Sequence, residues 1–304
     1  MGIGNYIKEI GRGKDGARSL TREQATDLFA QVLDGSVTDL EIGAFCLAMR
    51  IKSETEQELA GFLDAIDSRL CKVPTEDRPA VALPSYNGAR KLPVLTPLLA
   101  LLLARHGLCV VLHGMPTEST RVGAQEVLLA LGIPAQTAIV PIASGTLQFV
   151  PTDLLCPGLA RLLDVRRVVG LRNPAHSLVK LMNPCNGPTV LVSSYTHPEY
   201  AASMSATFSL LGSNALLLRG TEGEPVADPR RMPAMDAFIN GRMSRVQEQQ
   251  DGTLAKVPGL PAPDAQSTAA WIKAVLADQE PIPAPIARQV AHIVQLSNQI
   301  KTST

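Results

Sequence analysis

The chain has 304 residues, 45% of them hydrophobic and 18% charged, and its 28 basic side chains balance 28 acidic ones. That length and composition suit a soluble globular protein of about two domains and exclude a globally basic one, although a local basic patch remains compatible with zero net charge. Aromatic residues make up only 4%, so stacked aromatic platforms are not expected to dominate any nucleic-acid binding.

Residues 1–70 read as helical. Thr21 with Gln24 forms a capping-box pattern, and apolar residues at 25, 28, 29, 32 and 33 follow at helical spacing up to Gly35. Thr38 caps a second helix running to about Ile51, with Ile42, Phe45, Cys46 and Met49 on one face. Ser53 with Glu56 suggests a third capping box, leading into Glu58–Leu70. Short helices with short links predict a compact helical domain. A linker with Pro74 and Pro79 follows. From residue 81 short apolar runs alternate with helical stretches. The expected strands are Val81–Leu83, Cys109–Leu112, Gln148–Val150, Val190–Ser193 and Ala215–Arg219, with helices near 95–105, 122–131, 157–168 and 197–212. This alternation predicts an α/β domain with a mostly parallel central sheet flanked by helices. Residues 251–264 read as a Gly/Pro-rich surface loop, before helices over Gln266–Leu276 and Pro285–Lys301.

The five cysteines, at 46, 71, 109, 156 and 185, are dispersed without CxxC spacing. They read as buried, reduced thiols of a cytoplasmic protein, with no metal cluster among them. The N-terminus has early charge and no long apolar run, so no signal peptide is expected. Leu98–Ala104 is too short to span a bilayer, so no membrane partner is expected.

Strand–loop–helix units such as 81–105 aim backbone N–H groups and a helix N-terminus at one point, where a phosphate can sit. The loop Ser85-Tyr86-Asn87-Gly88-Ala89 also reads as an ordinary strand–helix turn with Asn-Gly geometry. Arg90 and Lys91 follow it, and the next strand ends in His113-Gly114. Basic residues recur at Arg121, Arg161, Arg166, Arg167, Arg172 and Lys180, the last five in a single, largely helical segment interrupted by one acid, Asp164. With Arg90 and Lys91 they are candidates for a phosphate-binding groove, since guanidinium forks suit phosphate. Individually they also read as solvated or paired with Asp153, Asp164 or Glu126. Lys8, Arg12, Lys14, Arg18 and Arg22 offer a second basic edge. No GxSxG motif or triad spacing is present.

Together the stretches at 7–14 (IKEIGRGK), 84–91 (PSYNGARK), 171–176 (LRNPAH), 197–200 (HPEY) and 219–224 (RGTEGE) resemble the anthranilate phosphoribosyltransferase-like family. The likeness is greatest to its paralogous branch, which binds nucleic acid and lacks transferase activity. The resemblance covers nearly the whole chain. It implies a small helical domain (1–72 with about 160–185), a larger α/β domain (80–158 and 188–304) and a homodimer through the helical domains.

True transferases of the family carry a GTGGD loop. Residues 85–89 stand in its place, with only Gly88 kept and Asn87 beside it. The family's KHGN element is Leu112-His113-Gly114-Met115 here, with Ser119 in a later position; His113 itself reads as a structural turn residue. The magnesium-binding Gly-x-Asp-Glu turn becomes Gly223-Glu224-Pro225-Val226, and proline and valine side chains offer a hard cation no oxygen. Glu222, Glu224 and Asp228 nearby read as solvated loop acids. The acceptor pocket's His-Pro becomes Cys156-Pro157, while Arg172 keeps the pocket arginine's place. These matches imply vestigial substrate positions, no catalytic or metal-ligating residues and no cofactor. The expected function is therefore sequence-tolerant binding of DNA or RNA through backbone contacts. The alternative is a phosphoribosyltransferase, with anthranilate or a related acceptor, that uses phosphoribosyl diphosphate and magnesium. A binding regulator without chemistry is a third reading.

Overall fold

The computed structural model describes residues 2–13, 15–75, 78–254, 257 and 259–301. Lys14 of the expected basic edge, and Ala255, Lys256 and Pro258 of the expected surface loop, lie outside the described residues. The chain divides into two compact units, Met1–Cys71 with Thr152–Met182 and Lys72–Pro151 with Asn183–Thr304. Among the described residues, no helix is long and apolar enough to cross a membrane.

The first unit is all helical: α1 (Gly4–Ile10), α2 (Arg22–Asp34), α3 (Asp39–Lys52), α4 (Glu56–Asp67) and, later in the chain, α7 (Thr152–Leu155), α8 (Pro157–Val169) and α9 (Ala175–Leu178). Thr21 with Gln24 and Thr38 with Glu41 close capping boxes on α2 and α3. The third box uses Thr55 with Glu58, not Ser53 with Glu56. Ser53 instead ends α3 in a left-handed conformation, φ 67°. Glu58 does more than cap, because its buried carboxylate also accepts from Leu20 N at 2.9 Å and Lys52 Nζ at 2.6 Å. Phe29, Phe45 and Phe62 meet at the centre, with ring centroids 4.7–6.2 Å apart. The expected single segment from Arg161 to Lys180 is broken: Gly170 (φ 75°) ends α8, Arg172 lies in the loop, and Lys180 follows α9. A left-handed glycine after a basic last turn is a regular helix stop.

The second unit holds an eight-stranded mixed sheet in the order β3-β2-β1-β4-β5-β7-β8, with β6 paired to β5. Strands β1 (Ala80–Pro84), β2 (Cys109–Gly114), β3 (Leu147–Pro151), β4 (Thr189–Tyr195) and β5 (Ala215–Thr221) are parallel neighbours. Their near-continuous apolar runs suit strands covered on both faces. Strands β6 (Glu224–Ala227), β7 (Met235–Ile239) and β8 (Arg242–Gln247) extend the sheet antiparallel. Helices α5 (Thr96–Arg105), α6 (Ala124–Ala130), α11 (Ala265–Leu276) and α12 (Ala284–Lys301) pack on one face through Leu98, Leu103, Val127, Ile272 and Ile293. Helix α10 (Pro198–Leu210) contacts the sheet through Phe208, whose ring lies 5.3 Å from that of Phe238 on β7.

Helices α2 and α4 approach so closely that a Cβ at Gly61 would stand 2.3 Å from Arg22 O and 2.8 Å from Ala25 Cβ. Gly61→Ala is expected to cost about 1–3 kcal/mol through overpacking, read as a lower urea midpoint at unchanged m-value; an unchanged midpoint would contradict this contact.

Candidate functional site

The parallel strands bring the loops after β1, β2 and β5 to one end of the sheet, where α/β folds place ligand sites. Strand β1 leaves the sheet at Pro84, and Ser85 N donates to His113 O at 2.7 Å. The two backbones run so close that a Cβ at Gly114 (φ 154°) would lie 1.8 Å from Ser85 O. The chain then turns through Asn87 and Gly88 (φ 63°), and Ala89 and Val122 exchange two backbone hydrogen bonds at 3.0 Å.

A ligand would be expected at the loop's remaining N–H groups, but two acids of the chain itself are there. Glu224, only 1% exposed, accepts from Asn87 N at 3.2 Å, Gly88 N at 2.8 Å, Ser85 Oγ at 2.5 Å and Thr96 Oγ1 at 3.0 Å. Glu222 accepts from Arg90 N at 3.1 Å, Lys91 N at 2.8 Å and Leu92 N at 3.0 Å. The Asn87 side chain also donates to Glu222 O. Every backbone N–H from Asn87 to Leu92 is thus paired within the protein, five to carboxylates and Ala89 N to a carbonyl. Both acids sit on the β5–β6 hairpin, whose two loop residues, Glu222 (φ 52°) and Gly223 (φ 93°), are left-handed as a tight hairpin demands. A non-glycine residue there is strained, and the bonds to Glu222 hold it in place.

The expectation of solvated loop acids is therefore overturned. Asp228 is buried too, and Arg230 grips it through Nε and Nη2 at 2.9 and 2.8 Å, with Arg231 at 3.5 Å. Burial alone pushes the Asp228 carboxyl up, but the Arg230 hydrogen bonds outweigh it and hold the group below its usual range.

Beside the loop lies a cleft of about 250 Å³ lined by Tyr86, Asn87, Glu118, Arg121, Leu129 and Phe149, among others. Arg121 Nη1 donates to Gly88 O at 3.3 Å. Arg90, Lys91 and Ser119 are exposed. His113, read from sequence as a turn residue, is instead buried within β2. The structure thus gathers Asn87, Gly88, Arg90, Lys91, His113, Gly114, Ser119 and Arg121 at one end of the α/β unit.

The other candidates belong to the helical unit. Cys156 is the buried N-cap of α8, its thiol pushed up by burial. Arg161 is exposed yet donates to Leu33 O at 2.7 Å, and Arg167 pairs with Asp164 at 2.9 Å. Arg166, Arg172 and Lys180 are half-buried.

A match to the glycosyl transferase family helical bundle domain covers residues 5–69. Protein YbiB of Escherichia coli K12, whose function is uncharacterized, is 41% identical over 299 residues, spanning 96% of this chain and 93% of its own length. The chain belongs to the anthranilate phosphoribosyltransferase-like family. The anthranilate phosphoribosyltransferase of Persephonella marina is 28% identical over 229 residues, 73% of this chain and 66% of its own. That of Thermus thermophilus superposes over 98% of this chain and 89% of its own with TM-score 0.76 at 21% identity, a likeness of fold.

The magnesium and diphosphate that this family implies do not fit the residues present. Pro225 and Val226, which the sequence resemblance sets at the family's metal-binding acids, offer no side-chain oxygen, and a diphosphate would have to evict the Glu224 carboxylate from its four donors. Sequence reasoning missed Glu222, Glu224, Ser85 and Thr96 as one constellation. The acids flanking Gly223 were its visible trace.

Two outcomes are expected. Glu224→Ala strands buried donors and should cost about 3 kcal/mol, with Glu224→Gln between it and the parent in thermal unfolding; equal stability of all three would contradict the arrangement. Burial holds the His113 pKa at about 3, against 6.5 for a free imidazole. The unfolded chain therefore binds more protons between those values, and stability falls as pH drops through that window. His113→Leu should flatten this acid dependence, measured as urea midpoints against pH; an unchanged slope would contradict it.

Proposed function

We propose that this chain is a cytoplasmic, homodimeric, sequence-tolerant nucleic-acid-binding protein on a phosphoribosyltransferase scaffold, without transferase chemistry and without a cofactor. One observation carries the reading: the N–H groups that would cradle a diphosphate are taken by Glu222 and Glu224. Anion binding then falls to exposed side chains in each unit taken by itself: Arg90, Lys91 and Arg219 in the α/β unit, and Arg161 and Arg167 in the helical unit. Long cations of this kind engage a phosphate backbone wherever it passes, and such contacts position a nucleic acid without reading its bases. The dimer is supported by an apolar stripe on α3, where Leu40, Leu47 and Ile51 are 84%, 48% and 58% exposed, and by Val168 on α8 at 90%. Large apolar side chains exposed in a row suit a protein interface.

The second reading is a phosphoribosyltransferase. The His113-Gly114 strand end and the cleft beside Asn87 and Arg121 favour it.

Affinity for single- and double-stranded oligonucleotides, titrated against salt, separates the readings. The binder should lose affinity along a log–log slope of about −0.9 per duplex phosphate neutralised. Arg90→Glu combined with Lys91→Glu should weaken all sequences alike. Absence of binding at low salt by a folded protein would remove this reading, and magnesium-dependent binding of phosphoribosyl diphosphate would establish the other.

A further inference from the structure

The chain has only four tyrosines. Two of them, Tyr195 and Tyr200, flank the same turn, where β4 passes into α10. His197 caps α10 without a side-chain hydrogen bond of its own. It is exposed, and its ring centroid lies 6.3 Å from that of Tyr200, which is 37% exposed. Strand register sets Tyr195 directly beside Arg219 on β5, also exposed. Side chains alternate along a strand, and Val192 and Leu218 point into the helix-covered core. Tyr195 and Arg219, at odd spacing from them, therefore share the opposite face. Arg219 and Arg245 lie near enough for their charge to act on the Tyr195 hydroxyl. Arg245 is itself held by Asp236, whereas Arg219 makes no ion pair among the described residues.

Aromatic rings at the surface beside a guanidinium do little for the fold. Tyr86, by contrast, is buried in the β1–α5 loop, and Phe29, Phe45 and Phe62 are fully enclosed. Two planar rings of different tilt, with a cation one strand away, match the repeat of a single-stranded nucleic acid, in which a flat base and a charged phosphate alternate. The turn also lies at the same end of the parallel sheet as the loop bearing Arg90 and Lys91, since β1 and β4 are parallel neighbours. A strand held there can keep its backbone on the cations while a base turns onto the rings. A duplex cannot, because its bases are already stacked and paired.

We propose that Tyr195, His197, Tyr200 and Arg219 form a stacking site for a nucleobase of single-stranded DNA or RNA. The inference rests on the proposed nucleic-acid binding and adds a preference to it: unpaired strands with bases over bare phosphodiester backbone.

The test uses the full chain and fluorescence anisotropy with three labelled probes, an oligothymidylate of about ten nucleotides, an abasic strand of equal length and charge, and a matching duplex. The parent protein should favour the thymidylate over the abasic strand by on the order of tenfold. Tyr200→Ala, at an exposed position, should erase that preference while leaving abasic binding unchanged, and Tyr200→Phe should retain it. Arg219→Ala should weaken all three probes and reduce the salt slope by about one. Equal affinity of the parent for thymidylate and abasic strands would overturn the stacking site alone. So would a Tyr200→Ala variant that keeps the full preference, or one that loses both strands equally. Binding of none of the probes at low salt would overturn both this inference and the function it rests on.

Discussion

A carboxylate enclosed under a loop needs donors on every side, and Glu224 draws them from two backbone amides and two hydroxyls of the β1–α5 segment. Its own position is fixed from behind. Gln289, buried in α12, donates to Pro225 O and accepts from Ala227 N, both at 2.8 Å. These bonds hold β6, β6 holds Glu224, and Glu224 sets the loop that opens α5. Charge-assisted hydrogen bonds contribute about 1.5–3 kcal/mol each, while burying the charge costs several kcal/mol. The burial cost offsets part of that gain, and the contact also selects one loop conformation. Breaking it is costly because the donors are then buried without partners.

The same contact closes the loop's amides while the family's overall shape is kept. A transferase loop binds phosphate by leaving its amides open to a ligand, as helix N-termini and glycine-rich turns do. Here Glu222 and Glu224 supply the negative charge internally, and the amides are no longer open. What remains at this end of the sheet are flexible side chains: Arg90 and Lys91 beyond the loop and Arg219 at the end of β5. Amides fixed in a cradle select one anion geometry, whereas solvated guanidinium and ammonium groups accept many. Under the proposed function, specificity for a small diphosphate would be exchanged for tolerance toward a long polyanion, with the salt sensitivity that such contacts bring.

Much of this architecture is legible in the chain. The apolar runs and their alternation give the five parallel strands and the helices between them, because a buried parallel sheet leaves a strong local trace. Thr21 and Thr38 mark their helices, since a cap is a local interaction. Thr55 was obscured by Ser53 two residues earlier, and only the left-handed Ser53 backbone separates them. The antiparallel β7–β8 pair went unread although Asn240-Gly241, at φ 47° and 77°, is the turn such a hairpin uses; β8 is mostly exposed and lacks an apolar run. The Glu224 contact could not be read locally. Whether an acid beside a glycine is solvated or buried depends on residues more than a hundred positions away, at Ser85 to Thr96. The basic run from Arg161 to Lys180 misled for a related reason: composition showed the charges, while Gly170 and the partners at Leu33 and Asp164 decided where they go.

Opening this loop to a ligand would require several linked changes. Replacing Glu224 alone would expose amides that now depend on it, and Pro225 and Val226 beside it would still offer a cation no side-chain oxygen. An acid at Pro225 or Val226 would lie within the buried strand β6, where its charge would need partners of its own. Gly220 adds a further constraint, as a Cβ there would stand 1.9 Å from Glu224 O, so the strand cannot readily shift to re-aim a new ligand. The groups that close this end of the sheet therefore also support the fold. A site closed by structural members is hard to reopen one residue at a time, which leaves the exposed rim as the surface on which a function of this scaffold can still change.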